Sequence, residues 1–202
     1  IERDVVGGAA HLWDCIPSKA MIATGGAFGD IGDASSMGLG AQTASVDLDA
    51  LRLRINDIVG RLEQSGRRLL ESQGVRIIMG SGRLVGSHTV AVETPEGVEE
   101  IEADAILIAT GTRPRIPDFA SPDGDRILTT RDAYPPRELP EHLIVVGSGV
   151  TGVEFVHMFL SFGSKVTLVV SRQQVLPQKD PEVAAVLEDD FMRRGVKLFK
   201  GA

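Results

Sequence analysis

The sequence predicts an α/β fold, and three observations carry the prediction. A short apolar run, His142-Leu143-Ile144-Val145-Val146, suits a buried parallel strand. Directly after it come Gly147-Ser148-Gly149-Val150-Thr151-Gly152, then apolar residues at helical spacing from Val153 to Phe162, with no breaker before Gly163. A second apolar run, Val166 to Val170, completes a βαβ unit. The three glycines have separate jobs: a tight turn, a close backbone approach, and close packing of helix on strand. The helix they open offers free N–H groups and partial positive charge, which suit a pyrophosphate. Gly147, Ser148, Gly149, Val150, Thr151 and Gly152 are therefore the candidate phosphate loop of a Rossmann-like, dinucleotide-binding unit.

The residues after the second strand bear on which dinucleotide. A carboxylate there would accept the adenosine ribose 2′-OH of NAD, whereas arginine suits a 2′-phosphate. The chain has Ser171-Arg172 and no carboxylate from Ser171 to Gln178. NADPH is favoured and NADH stays open; the alternative for Arg172 is a solvated loop cation.

The remaining elements follow from period and punctuation. A helix is expected from Pro17 to Phe28, with Pro17 in its first turn and Gly25 and Gly26 weakening its end. Residues 29–46, rich in Gly, Ser and Ala, read as a loop. A longer helix is expected from Leu48 to Gln73 with Asp47 as N-cap. Leu48, Leu51, Ile55, Ile58, Val59, Leu62, Leu69 and Leu70 form its apolar stripe, and Arg52, Arg54, Arg61, Arg67 and Arg68 its wet face. After Gly74 the period becomes two. Val75 to Met79 is a candidate strand. Thr89 to Glu93 and Val98 to Glu102 flank Thr94-Pro95-Glu96-Gly97 as a hairpin, and Asp104 to Ala109 is a further strand ending at Thr110-Gly111. Prolines between Pro114 and Pro140 mark a linker.

Composition narrows the class. The chain has 202 residues, 43% hydrophobic and 24% charged, with a formal charge of −7 and one cysteine. That length can bury real cores in one or two domains. The acidic balance argues against a nucleic-acid surface. No apolar run approaches the ~20 residues of a membrane helix, and no signal-peptide pattern precedes the first element. A disulfide framework within the chain is excluded, and a cytoplasmic protein is the expectation. His11, His88, His142 and His157 show no ligand spacing, so no metal site is expected. The chain opens without Met at Ile1-Glu2, which reads as a strand end, and stops after the candidate strand Val196 to Phe199. The middle of a longer protein is expected.

The segment Gly7-Gly8-Ala9-Ala10-His11-Leu12-Trp13-Asp14-Cys15-Ile16-Pro17-Ser18-Lys19 resembles the redox-active region of the FAD-dependent pyridine nucleotide–disulfide oxidoreductases. Members such as dihydrolipoyl dehydrogenase carry two glycines, a cysteine, four residues, a second cysteine, then Ile/Val-Pro-x-Lys or similar. Other motifs fall in family order. Glu2 matches the acid that binds the FAD ribose, Ala109-Thr110-Gly111 the turn closing the FAD domain, and Gly147 to Gly152 with Glu154 the inserted NAD(P) domain. The resemblance implies a Rossmann-like FAD domain, N-terminally incomplete, and an inserted Rossmann-like NAD(P) domain, C-terminally incomplete. The expected limits are 1–118, a linker 119–140, and 141–202. It also implies FAD and NAD(P)H as cofactors, with contacts at Glu2, Gly8, Lys19, Gly82, Thr110, Gly111, the phosphate loop and Arg172. A homodimer built through a C-terminal domain beyond residue 202 is implied as well.

One departure from the pattern bears on chemistry. The family's first cysteine aligns with Ala10 and its second with Cys15, so the two sulfurs that a dithiol relay requires are not both here. The GGAA…CxPSK variant resembles the actinobacterial flavoprotein NAD(P)H:quinone reductases. That resemblance implies hydride transfer from NAD(P)H to flavin and on to a quinone-type small molecule. Trp13 is also similar to the Trp of soluble pyridine nucleotide transhydrogenases; a transhydrogenase, a dihydrolipoyl dehydrogenase homologue and a non-catalytic dinucleotide-binding module are the alternatives. Cys15, Lys19 and Glu154 are the candidate catalytic residues. Cys15 is either a flavin neighbour that tunes the cofactor or an inherited residue without required chemistry. A helix N-terminus would favour negative charge on its sulfur and Asp14 would oppose it. The resemblance aims the Lys19 ammonium at the flavin edge and Glu154 at the nicotinamide and Lys19; surface roles are the alternatives.

Overall fold

The computed structural model describes residues 1–40 and 43–202, with the backbone alone at 11 and 12. In chain order the elements are α1 (Gly8–Leu12), α2 (Cys15–Asp33), a 3-10 turn (Ala34–Met37), α3 (Leu48–Ser72), β1 (Ser81–Leu84), β2 (Thr89–Thr94), β3 (Gly97–Glu102), β4 (His142–Val146), α4 (Val150–Ser161), β5 (Lys165–Val170), α5 (Pro181–Arg193) and β6 (Lys197–Lys200). Packing divides them into two compact units, residues 1–17 with 53–132 and residues 18–52 with 133–202.

In the first unit, β1, β2 and β3 form an antiparallel sheet in that order. Thr94 opposes Gly97 across the hairpin turn, where Gly97 takes a positive φ of 139° that a side chain would resist. Val92 and Ala91 are the sheet's buried residues. The expected strand at 75–79 is reduced to a single parallel bridge between Glu2 and Met79. The Glu2 N–H donates to the Ile78 carbonyl (3.0 Å) and the Gly80 N–H to the Glu2 carbonyl (2.8 Å). The expected strand at 104–109 does not form. A strand needs a neighbour for its N–H and C=O groups, and none stands beside it among the described residues; Leu107 is 90% exposed.

The second unit holds the parallel sheet β4–β5–β6, with Leu143 opposite Val166 and Leu168 opposite Leu198. Val166, Leu168 and Val170 of β5 are fully buried, together with Val156, Met158 and Phe159 of α4 and Phe191 of α5. Each such side chain stabilises the fold by roughly 1.5–3 kcal/mol. Phe155 stacks between Tyr134 (4.7 Å) and Phe159 (6.0 Å). Helix α4 ends at Ser161, and the φ of 93° at Gly163 lets its N–H and that of Ser164 turn back to the Leu160 and Phe159 carbonyls. Helix α5, which the sequence reading did not identify, starts at Asp180. That carboxylate accepts the Glu182 and Val183 N–H groups, with Pro181 next in the chain.

One of the two expected N-terminal helices departs from expectation at its ends and the other keeps them. Helix α2 runs from Cys15 to Asp33, through Gly25 and Gly26 and into the expected 29–46 loop, of which positions 41 and 42 lie outside the described residues. A methyl group at Gly25 would sit 3.0 Å from the Ser161 Cβ, so this glycine permits close packing of α2 on α4. Tertiary packing of Ala20 and Met21 outweighs the low helix propensity of glycine here. Helix α3 ends at Ser72, within one residue of the expected end. The Asp47 carboxylate accepts the Asp49 and Ala50 N–H groups, as its N-cap position requires. Arg52 is not purely on a wet face, since it also donates to the Pro136 carbonyl (3.0 Å). No helix is long and apolar enough to cross a membrane among the described residues.

Candidate functional site

The phosphate loop lies between β4 and α4. Gly147 has a φ of 110°, a left-handed turn that glycine makes without strain. Its N–H donates to the Val169 carbonyl of β5 (3.0 Å), which fixes the loop to the sheet. A methyl group on Gly152 would overlap the Gly147 carbonyl, so the third glycine is obligatory for packing. A methyl group on Gly149, by contrast, would meet nothing within 4 Å. Gly149 is the N-cap of α4, and no side chain caps the helix. Its first-turn N–H groups therefore have no side-chain acceptor. Ser148 is buried, while Gly147, Gly149, Val150 and Thr151 are exposed and Gly152 is half-buried. Exposed, uncapped N–H donors next to open space above a glycine fit a pyrophosphate.

Arg172 lies on the segment after β5, exposed, and its guanidinium has no ion-pair partner among the described residues. Its carbonyl accepts the Gly201 N–H (3.1 Å). The same segment is joined to the phosphate loop, where the Leu176 N–H donates to the Ser148 carbonyl (2.7 Å).

Lys19 and Glu154, 135 positions apart in sequence, meet in the second unit. The Lys19 Nζ donates to Glu154 Oε1 at 2.6 Å and the Ser18 hydroxyl donates to Glu154 Oε2 at 2.5 Å. Glu154 lies one turn into α4 and Lys19 one turn into α2. Ser18 is 1% exposed, whereas the Lys19 side chain is 59% exposed and that of Glu154 is 21% exposed. One carboxylate oxygen is thus held by a buried hydroxyl and the other steers a solvent-facing ammonium. Sequence reading missed Ser18. The signal was a small hydroxyl residue beside Lys19 in a segment otherwise read for its cysteine, but its burial was invisible without the partner helix.

In the first unit, Cys15 is exposed and opens α2, and Trp13 carries the Arg131 guanidinium 4.6 Å from its ring centroid. The Glu2 carboxylate takes the Asp4 N–H on Oε1 (2.8 Å). Gly8 has a φ of 58° and open space around its Cα. Gly82 pairs with Val92 in the sheet, and a methyl group there would press on Ile1 at 3.3 Å. Thr110 and Gly111 are exposed on irregular backbone, Gly111 with a φ of 68°. Glu2 is half-buried with its Oε1 engaged by the backbone, and Gly8 and Gly111 both stand in left-handed turns. The side chain of His11 lies outside the described residues.

One histidine has a perturbed acidity. Partial burial of His157 on α4, and then the positive charge of Arg194, push its pKa below the ordinary histidine value, with Asp190 opposing. Arg194 lies 3.1 Å from the His157 Nδ1 and also donates to Ser161 (3.2 Å).

A parallel sheet, a three-glycine turn and an uncapped helix N-terminus define a dinucleotide-binding α/β protein. The chain belongs to the pyridine nucleotide-disulphide oxidoreductase family, which matches it over residues 1–202. That family is enzymatic and uses FAD and NAD(P)H. The chain is 42% identical, over its whole length, to the NAD(P)H dehydrogenase (quinone) of Mycobacterium tuberculosis, and covers 43% of that protein. It is 36% identical to the dihydrolipoyl dehydrogenase of Zymomonas mobilis, with 98% of this chain and 43% of that protein aligned. Among solved structures, LpdA from Mycobacterium tuberculosis superimposes with a TM-score of 0.90 at 42% identity, covering 99% of this chain and 44% of that one. The flavoprotein disulfide reductase RclA from Escherichia coli gives 0.79 at 25% identity, covering 98% and 42%. The chain therefore spans less than half the length of the relatives it matches.

Proposed function

We propose that this chain forms the nucleotide-handling part of an FAD-dependent NAD(P)H oxidoreductase that reduces a quinone-type acceptor. The observation that carries the acceptor class is Cys15 standing without a partner, with Ala10 at the position a dithiol would need. Without two sulfurs in this chain there is no stored disulfide to exchange. The 42% identity with a protein named NAD(P)H dehydrogenase (quinone) supports the same reading.

When bound, nicotinamide and flavin supply the hydride chemistry; overall, NAD(P)H and a proton convert a quinone to its hydroquinone. The protein binds and orients. The loop Gly147 to Gly152 holds the pyrophosphate through the backbone N–H groups at the uncapped start of α4, and Arg172 pairs with a 2′-phosphate, which favours NADPH. Glu2 accepts the ribose hydroxyls of FAD, with Gly8, Gly82, Thr110 and Gly111 allowing close approach. Lys19 presents positive charge to the flavin edge, held in direction by Glu154. In this reading residues 1–118 serve FAD, 119–140 link, and 141–202 serve the pyridine nucleotide, within a cytoplasmic homodimer.

Full-length protein assayed with NADPH should reduce one- and two-ring quinones and turn over lipoamide poorly, and Cys15→Ser should keep most of the quinone rate. The 36% identity with a dihydrolipoyl dehydrogenase defines the rival. Fast lipoamide reduction that Cys15→Ser abolishes would establish that rival instead. Arg172→Glu should lower the NADPH/NADH ratio of kcat/KM by about tenfold, the cost of opposing one phosphate with a like charge. An unchanged ratio would remove Arg172 from the site.

A further inference from the structure

The segment after β5 holds one locally unfavourable conformation, and it meets a buried carboxylate on α5. Leu176 has a φ of 48°, and among the described residues it is the one non-glycine with a positive φ. That conformation is unfavourable for a leucine and persists only where the surroundings over-determine it. Its N–H donates to the carbonyl of Ser148 in the phosphate loop (2.7 Å), and its carbonyl accepts the Lys179 N–H (2.8 Å). Beside it, the fully buried Val175 donates its N–H to Glu188 Oε1 at 2.8 Å. Glu188 is only 7% exposed, and its other oxygen accepts from Lys200 Nζ at 2.8 Å. A buried carboxylate is costly unless both oxygens are satisfied, and here both are, one by a backbone N–H and one by a lysine.

We infer that Glu188 is a positioning residue for nucleotide selection. It clamps Val175 and so sets Leu176 against Ser148, which fixes the segment bearing Arg172 relative to the phosphate loop. The inference rests on the proposed NADPH-binding role of Arg172. Glu188 touches no nucleotide; its effect passes through the backbone of residues 175 and 176. An acceptor oxygen is what the clamp requires, so glutamine can replace glutamate and leucine cannot.

The test measures kcat/KM of the full-length holoenzyme with NADPH and with NADH. Glu188→Gln should keep the NADPH/NADH ratio within about twofold of the parent, while Glu188→Leu should lower it about tenfold through KM for NADPH rather than through kcat. Leu176→Pro, which removes the N–H donor to Ser148 and cannot hold the positive φ of residue 176, should give the same selective loss and decides the matter if Glu188→Leu does not fold. A folded Glu188→Leu, or failing that Leu176→Pro, with the parental ratio would overturn the inference, provided Arg172→Glu lowers it. A ratio unmoved by Arg172→Glu overturns the NADPH reading, and the inference with it. A loss of kcat with both nucleotides at unchanged ratio marks a structural role only and also overturns it.

Discussion

Two segments of this chain set glycines ahead of a helix, and they fold in different company. Gly147 to Gly152 run from the end of β4 into the first turn of α4, fixed to Val169 of β5 and to Leu176, both within about thirty positions of the loop. Gly7 and Gly8 also take positive φ, 110° and 58°, but the helix they open has five residues and no strand leads into it. The nearest pairing upstream is the single bridge from Glu2 to Met79. A glycine turn thus becomes a rigid site where strand, turn, helix and strand are contiguous. Where the partner lies far along the chain, the same residue types make only a local bend.

That contrast predicts a ranking of substitutions. Gly152→Ala should be the most damaging, because its methyl group meets the rigid Gly147 carbonyl; roughly 3 kcal/mol or more of stability and all measurable NADPH binding should go. Gly149→Ala, with open space around it, should melt like the parent yet bind NADPH more weakly. Thermal melts alongside fluorescence titration separate the two. Similar stability losses at both positions would break the distinction between packing glycine and approach glycine.

Lys19→Met should slow reduction of the flavin by NADPH about tenfold in stopped-flow absorbance, less than a buried charge would cost because Lys19 is largely exposed. Gly8→Ala should cost about 1 kcal/mol of stability, the price of a left-handed alanine with no steric overlap. A loss as large as that of Gly152→Ala would mean the two turns are equally constrained.

The smallest effect concerns pH. The folded His157 holds its proton less tightly than the unfolded one, so the unfolded chain binds more protons in acid. The His157 contribution is present above about pH 6.5 and is lost as pH falls through the lower folded value. Denaturant midpoints between neutral and mildly acidic pH should therefore fall less in His157→Gln than in the parent.

The same contrast explains what could be read from sequence. The βαβ unit was legible because its signal is periodicity interrupted by glycine, all of it local. The N-cap at Asp47 and the hairpin at Thr94 to Gly97 were legible for the same reason. Asp180-Pro181-Glu182 carried an equally local helix start that went unread, and α5 was missed with it. The strands expected at 75–79 and 104–109 failed differently: short apolar segments predict buried strands, yet a ladder exists only where another strand lies alongside. At the site, Lys19 and Glu154 were nameable from motif resemblance. Ser18 and Glu188 were not, since their importance lies in burial and in the partners they meet, 136 and 13 positions away in sequence.

The most direct test of the central claim, electron transfer without a dithiol relay, is an anaerobic titration of the full-length flavoprotein with NADPH or dithionite. The parent should take up about two electrons per flavin, and Ala10→Cys, with a second sulfur at the relay spacing from Cys15, should take up more. A parent that already accepts about four electrons per flavin, with the excess lost in Cys15→Ser, would contradict the account.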